Sequence, residues 1–206
     1  YAAAAEAGAD SIVSVHLSAS LSGTYDAARL AARDAPIPVE VVDTRSIAMG
    51  LGFAALNAAR AAQAGADQVA TAEVARRTAA DSQVLFYVDT LEFLRRGGRI
   101  GKASAWLGSA LRVKPLLHVV DGEVAPLEKA RTANRALGRL ADLAEEAAQG
   151  RRVQVAVQHL ELAMTRIPTS IESLRTPDER FNGLPGFGFT PNYLESLHGY
   201  EWLRMH

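Results

Sequence analysis

Through residues 1–90, short apolar runs alternate with longer helical stretches, and this alternation restricts the fold more than any other feature. The runs are SIVSVHLS (11–18), PIPVEVVDT (36–44) and SQVLFYVDT (82–90). Between them lie TYDAARLAARDA from Thr24, then SIAMGLGFAALNAARAAQAG, stopped by Gly65, then TAEVARRTAAD, which Asp67 or Thr71 can cap. Near-continuous apolar strands joined by helices predict an α/β fold with a parallel sheet flanked by helices. The opening YAAAAEAGAD reads as the last turns of a helix ended by Gly8. It has no basic leader and is too short for a signal segment, and with no initiating Met the chain is expected to begin inside a longer protein.

The pattern changes after residue 90. Lys102 to Val113 read as a helix with Trp106, Leu107, Ala110 and Leu111 on one face. KPLLHVVDGEVAPLEKAR reads as a β-hairpin, because Asp121-Gly122 favours the left-handed backbone of a tight turn. A helix is expected in TANRALGRLADLAEEAAQ and a strand in RRVQVAVQHL (151–160). Residues 1–90 are therefore expected to be part of one α/β domain and 91–163 a second α/β subdomain. Residues 164–206 stand apart: all 39 alanines precede residue 164, and six of the 13 aromatics follow residue 180. Such a break is what a frame change in the coding sequence would leave.

Composition removes several functions. Apolar residues make up 49% and charged residues 22%, the globular range. The net charge of -1 offers no basic excess for nucleic acid and no polybasic run for a membrane surface. No apolar run reaches the ~18 residues of a membrane span, so a cytoplasmic protein is expected. The absence of cysteine excludes disulfides, thiolate catalysis and Cys-held metals. The five histidines show no metal-ligand spacing, and His118, inside an apolar strand, reads as a core histidine.

Three stretches remain as candidate sites. HLSASLSGTYDAA joins a strand end to a helix start, where open α/β sheets bind ligands. Ser18, Ser20, Ser22 and Thr24 offer hydroxyls there, and the helix start offers free N–H groups, a combination suited to an anion. The competing reading is that Ser22 or Thr24 only caps the helix. RRGGRIGK has the wrong spacing for a phosphate loop. One of its glycines is explained as a helix cap, which leaves Arg99 as either an anion ligand or an ion-pair partner of Asp89 or Glu92. In VVDTRSIAMGLGF, Asp43 can cap or pair with Arg45, and Gly50 and Gly52 allow close approach of another helix or of a long apolar ligand.

Taken in order, VHLSASLSGTYDAA, VEVVDTRSIAMGLGF and LFYVDTLEFLRRGGRIGKASAWLGSALRVKPLLHVVDGEVAPLEKART resemble the DegV family of fatty-acid-binding proteins, over roughly residues 8–160. The resemblance implies two α/β domains with one fatty acid in a buried tunnel between them. It implies Ser18 as the hydroxyl that holds the carboxylate, with Ala19 in place of a second family serine and only its backbone left. Ser22, Gly23 and Thr24 complete the loop, Arg99 lies near the head group, and Met49, Leu51 and Phe53 line the tunnel. It further implies a carrier without catalysis or cofactor, presenting the acid to the catalytic subunit of a fatty acid kinase that makes acyl phosphate for phospholipid synthesis in bacteria.

The family pattern also has a first strand with a T-S-Q-P-S segment ahead of these residues, and an H-x-G-P-G segment that GLPGFGF does not match. On that comparison the chain as given is expected to hold lipid poorly, and one alternative is a fragment without function. The other alternative is an enzyme or binding module for a phosphorylated small molecule, using the Ser/Thr loop and Arg99. Burial of a long acyl chain fits the carrier reading on its own terms, since each methylene removed from water contributes ~0.8 kcal/mol.

Overall fold

The computed structural model describes residues 1–106 and 113–158. By contacts the chain divides into two compact units, Tyr1–Gly150 and Arg151–His206.

In the first unit, helix α1 (Ala2–Glu6) leads into strand β1 (Ile12–His16), and Gly8 turns the chain between them at φ 93°. Helix α2 (Thr24–Ala32) follows, then β2 (Val39–Asp43). The two strands pair in parallel, with Ile12 opposite Val39 and His16 opposite Asp43. This is the parallel α/β arrangement that the strand–helix alternation predicts.

Helices α3 (Ala48–Gln63) and α4 (Gln68–Asp81) pack on one another and on this sheet. Ala54 and Ala58 of α3 meet Ala72, Ala75 and Ala79 of α4, with Val42, Val13 and Val15 of the sheet against them. Alanines three and four apart share one helix face, and their small volume lets the helices approach closely. Asp67 caps α4 by accepting from the Ala70 N–H at 2.8 Å; Thr71, the other candidate, is buried within the helix.

The third apolar run does not join this sheet. Strand β3 (Leu85–Tyr87) pairs antiparallel with β4 (Lys114–Val120), which pairs antiparallel with β5 (Glu123–Ala130). An apolar run specifies burial but not a partner, so its membership in the parallel sheet was not a property of the sequence. The β4–β5 hairpin forms as expected, and Asp121 (φ 55°) and Gly122 (φ 83°) are both left-handed in its turn.

Short helix α5 (Glu92–Arg96) and a 3-10 helix (Gly101–Trp106) lie between β3 and β4 of the antiparallel sheet. Of the helix expected from Lys102 to Val113, residues 107–112, including Leu107, Ala110 and Leu111, lie outside the described residues, and Val113 is not helical. Ala103, Leu117 and Val124 form a second core with Leu21, Phe86, Val88, Leu91, Leu94 and Ile100 around it. Helix α6 (Ala133–Ala148) closes the unit, capped by the Thr132 hydroxyl on the Arg135 N–H at 3.3 Å.

Of the second unit, residues 151–158 are described and hold no strand, contrary to expectation for 151–160. A strand needs a neighbouring strand to satisfy its backbone groups, and no strand ladder among the described residues includes 151–158. The aromatic-rich tail lies outside the described residues.

Candidate functional site

The hydroxyl loop leaves β1 at its C-terminal end. Ser18, two residues on, is fully buried. Its N–H donates to the Ser46 carbonyl at 2.9 Å, and its own carbonyl accepts from Leu21 and Ser22. Its hydroxyl donates to the carbonyl of Gly122 at 2.6 Å, in the β4–β5 turn. Leu21 places its side chain in the second core. The loop is thus held between the parallel sheet and the antiparallel one.

Arg99 completes this hold. Its Nε donates to the Leu21 carbonyl at 2.9 Å and its Nη1 to the Gly97 carbonyl at 2.5 Å. Nη2 has no acceptor among the described residues. The two ion pairs considered for Arg99 do not form, because both carboxylates are engaged elsewhere. Asp89 accepts from Lys114 at 2.5 Å, and that bond holds its carboxyl below the usual range. Glu92 binds Arg95 at 2.7 Å and Arg96 at 2.8 Å, Arg95 contributing most, and its pKa falls to about 2.

The adjacent glycines have a local cause. Gly98 adopts φ 70° after α5, its N–H donates to the Arg95 carbonyl, and the Arg99 N–H donates to the Leu94 carbonyl. These are the two bonds of a Schellman cap, which wants glycine at the left-handed position. The cap ends α5 so that Arg99 turns back towards Leu21.

The remaining predicted residues are placed as follows. Ala19 gives its N–H to Asp43 Oδ1 at 3.3 Å, so its backbone is already engaged. Gly23 is the cap position of α2, with no side-chain capping bond. Ser22 Oγ accepts from the Thr24 N–H at 3.4 Å and donates to Thr24 Oγ1 at 3.3 Å. Neither hydroxyl makes the expected cap to the second or third residue of the helix; the pair sits at its positive end instead.

Asp43 accepts the Arg45 N–H at 2.8 Å, but the Arg45 guanidinium goes to Asp121, reaching its carbonyl at 2.9 Å and its Oδ1 at 3.3 Å. Met49, Leu51 and Phe53 are half-buried on α3. Helix geometry puts Met49 and Phe53 on one face and Leu51 on another. The nearest groups to the glycines between them do not belong to a second helix. A Cβ at Gly50 would meet Ser46 Oγ and, at 2.8 Å, Val84 Cγ2, and one at Gly52 would lie 2.6 Å from Met49 Sδ.

Two features escaped the sequence reading. Tyr1 Oη donates to Ser14 Oγ at 2.9 Å, and Ser14 Oγ lies 2.8 Å from His16 Nε2. The i, i+2 spacing on β1 is the only signal for this contact. Burial lowers the His16 pKa against the opposing pull of Asp43. Separately, a groove of about 540 Å³ runs along β5 and α6, lined by residues including Glu128, Arg131, Arg135 and Arg139. Arg139 binds Glu128 at 2.8 Å and Glu146 at 2.7 Å, bonds that lower the Glu128 pKa and raise that of Arg139. The groove shares no lining residue with the hydroxyl loop.

Comparison with known proteins finds relatives both in sequence and in fold. The model of a family described as uncharacterised proteins of the DegV family matches residues 1–181. A DegV domain-containing protein of Streptomyces coelicolor is 57% identical over 160 residues, 78% of this chain and 57% of that protein. Among solved structures, a fatty-acid-binding DegV family protein from Thermus thermophilus superimposes with a TM-score of 0.66 at 37% identity, covering 72% of this chain and 53% of its own. DegV of Bacillus subtilis, a fatty acid binding protein, gives 0.61 at 31% identity, covering 71% and 52%. The chain spans about half the length of the curated relatives it matches.

Proposed function

Because the chain belongs to the DegV family, we propose that it binds a long-chain fatty acid, with the carboxylate at the Ser18 loop and the acyl chain running inward past Met49 and Phe53. The observation that carries this reading is the Arg99–Leu21 bond at 2.9 Å, which brings the GGRI segment onto the hydroxyl loop. The Ser22 and Thr24 hydroxyls and the first turn of α2 supply donors beside it, and Arg99 Nη2 supplies a charged one. A carboxylate taken out of water needs such donors, since an unpaired buried charge is costly. The acyl chain contributes ~0.8 kcal/mol per methylene, ample for tight binding after entropic losses.

In this reading the protein is a carrier in the cytoplasm rather than a catalyst. It presents the head group to a separate fatty acid kinase, which forms the acyl phosphate used for phospholipid synthesis.

Titration with palmitic acid, methyl palmitate and a short phosphate ester, glycerol 3-phosphate, tests the binding step. The acid should bind saturably and the ester more weakly. Preference for a short phosphate ester over the acid would replace this reading with one of phosphorylated small molecules. Acyl-phosphate formation with added kinase and ATP tests the presentation step, and no gain over free fatty acid would remove it.

A further inference from the structure

Ser18 has one hydroxyl proton, and in this structure it goes to the Gly122 carbonyl at 2.6 Å. An ionised carboxylate accepts hydrogen bonds and cannot donate them. Ser18 therefore cannot serve both at once. Resting on the fatty-acid reading above, we propose that the β4–β5 turn gates the head-group site: Gly122 and the carboxylate compete for the Ser18 proton, and Arg45 and Asp121 set how firmly the turn is held.

Three observations shape the gate. Gly122 is buried, so a carbonyl that loses Ser18 must find another donor or move out to water. Release of Ser18 thus requires movement of the turn. The contact is also close: a Cβ at Gly122 would lie 2.5 Å from Ser18 Oγ, so glycine lets the turn seat on the hydroxyl. The outer fastening is weak by comparison. Arg45 holds the Asp121 carbonyl at 2.9 Å and Oδ1 at 3.3 Å, with side chains 60% and 68% exposed. Exposed pairs of this kind contribute little and open readily in salt. One strong buried bond and one weak exposed clasp make an element that can close by itself and yield to a better acceptor.

A Cβ placed at Gly122 by the Gly122→Ala variant would lie 2.5 Å from Ser18 Oγ and so lifts the turn off the hydroxyl. With palmitic acid, followed by displacement of a fluorescent fatty acid, this variant should associate about tenfold faster than the wild-type protein. Equal rates in the two proteins overturn the gate while leaving the lipid-binding reading intact. Absence of binding by the wild-type protein overturns both.

Arg45→Ala gives an independent check that does not strain the turn. It should speed both loading and release several-fold, by about the weakening of one charged clasp. Unchanged rates with unchanged stability would contradict the role given to Arg45.

Discussion

Arg99 Nε donates to the carbonyl of Leu21 at 2.9 Å, across 78 positions of sequence. One guanidinium thereby joins the segment that caps α5 to the loop that ends β1. Replacing it with alanine removes this bond and the one to Gly97, and leaves the loop carbonyl to solvent. The Arg99→Ala protein should bind palmitic acid about tenfold more weakly, the scale of one charge-assisted hydrogen bond. Arg99→Lys should not restore binding, because an ammonium lacks the planar fork that spans two acceptors. Wild-type affinity in both variants, by fluorescence titration, would separate Arg99 from the head-group site.

Ser18→Ala removes the buried donor to Gly122 and leaves that carbonyl unsatisfied, at a cost of about 1–3 kcal/mol in stability. Denaturant unfolding measures this directly. If Ser18 also holds the carboxylate, palmitic acid affinity falls in the same variant. A loss of stability with unaltered affinity would mark Ser18 as a purely structural contact.

Gly101 and Gly98 both have positive φ, at 51° and 70°, but their surroundings differ. A Cβ at Gly101 would lie 2.4 Å from the Val124 carbonyl oxygen, whereas one at Gly98 meets nothing within 4 Å. Gly98→Ala should cost about 1–2 kcal/mol for the left-handed backbone alone. Gly101→Ala adds a clash with rigid strand backbone and should cost more. Urea midpoints in the reverse order would contradict this placement of the 3-10 helix on β5.

His16 should make stability fall on mild acidification. Burial holds its folded pKa below the ordinary 6.5, so below that pH the unfolded chain binds the proton more readily. Ser14 Oγ, which accepts from Tyr1, lies 2.8 Å from His16 Nε2. Melting temperature should drop as pH falls from 7 through 6, and His16→Gln should flatten that drop. Asp89, Glu92 and Glu128 have lowered pKa values; their contribution is lost only below the ordinary carboxylate range, which keeps the two windows apart. A pH profile unaltered by His16→Gln would count against the assignment.

What could be read in advance follows from the range of each signal. The β1–α2–β2 alternation, the Asp67 cap and the Asp-Gly hairpin are set by neighbours in sequence, and all three form. The partner of β3 is chosen by packing, so an apolar run alone placed it in the wrong sheet. Arg99 was equally ambiguous: Glu92 is near in sequence, but Arg95 and Arg96 sit one helical turn from it and take it first. The Ser18–Gly122 contact joins two legible pieces, a loop and a turn, across 104 residues, and no local pattern encodes it.

Native mass spectrometry of the purified protein, followed by solvent extraction and lipid analysis, goes to the centre of this account. A mass increment of one long-chain fatty acid per chain, lost or much reduced in the Ser18→Ala, Arg99→Ala double variant, is the expected result. A protein that is folded by circular dichroism yet carries no fatty acid, and takes up none when palmitic acid is supplied, would contradict the assignment of the Ser18 loop as a fatty-acid head-group site.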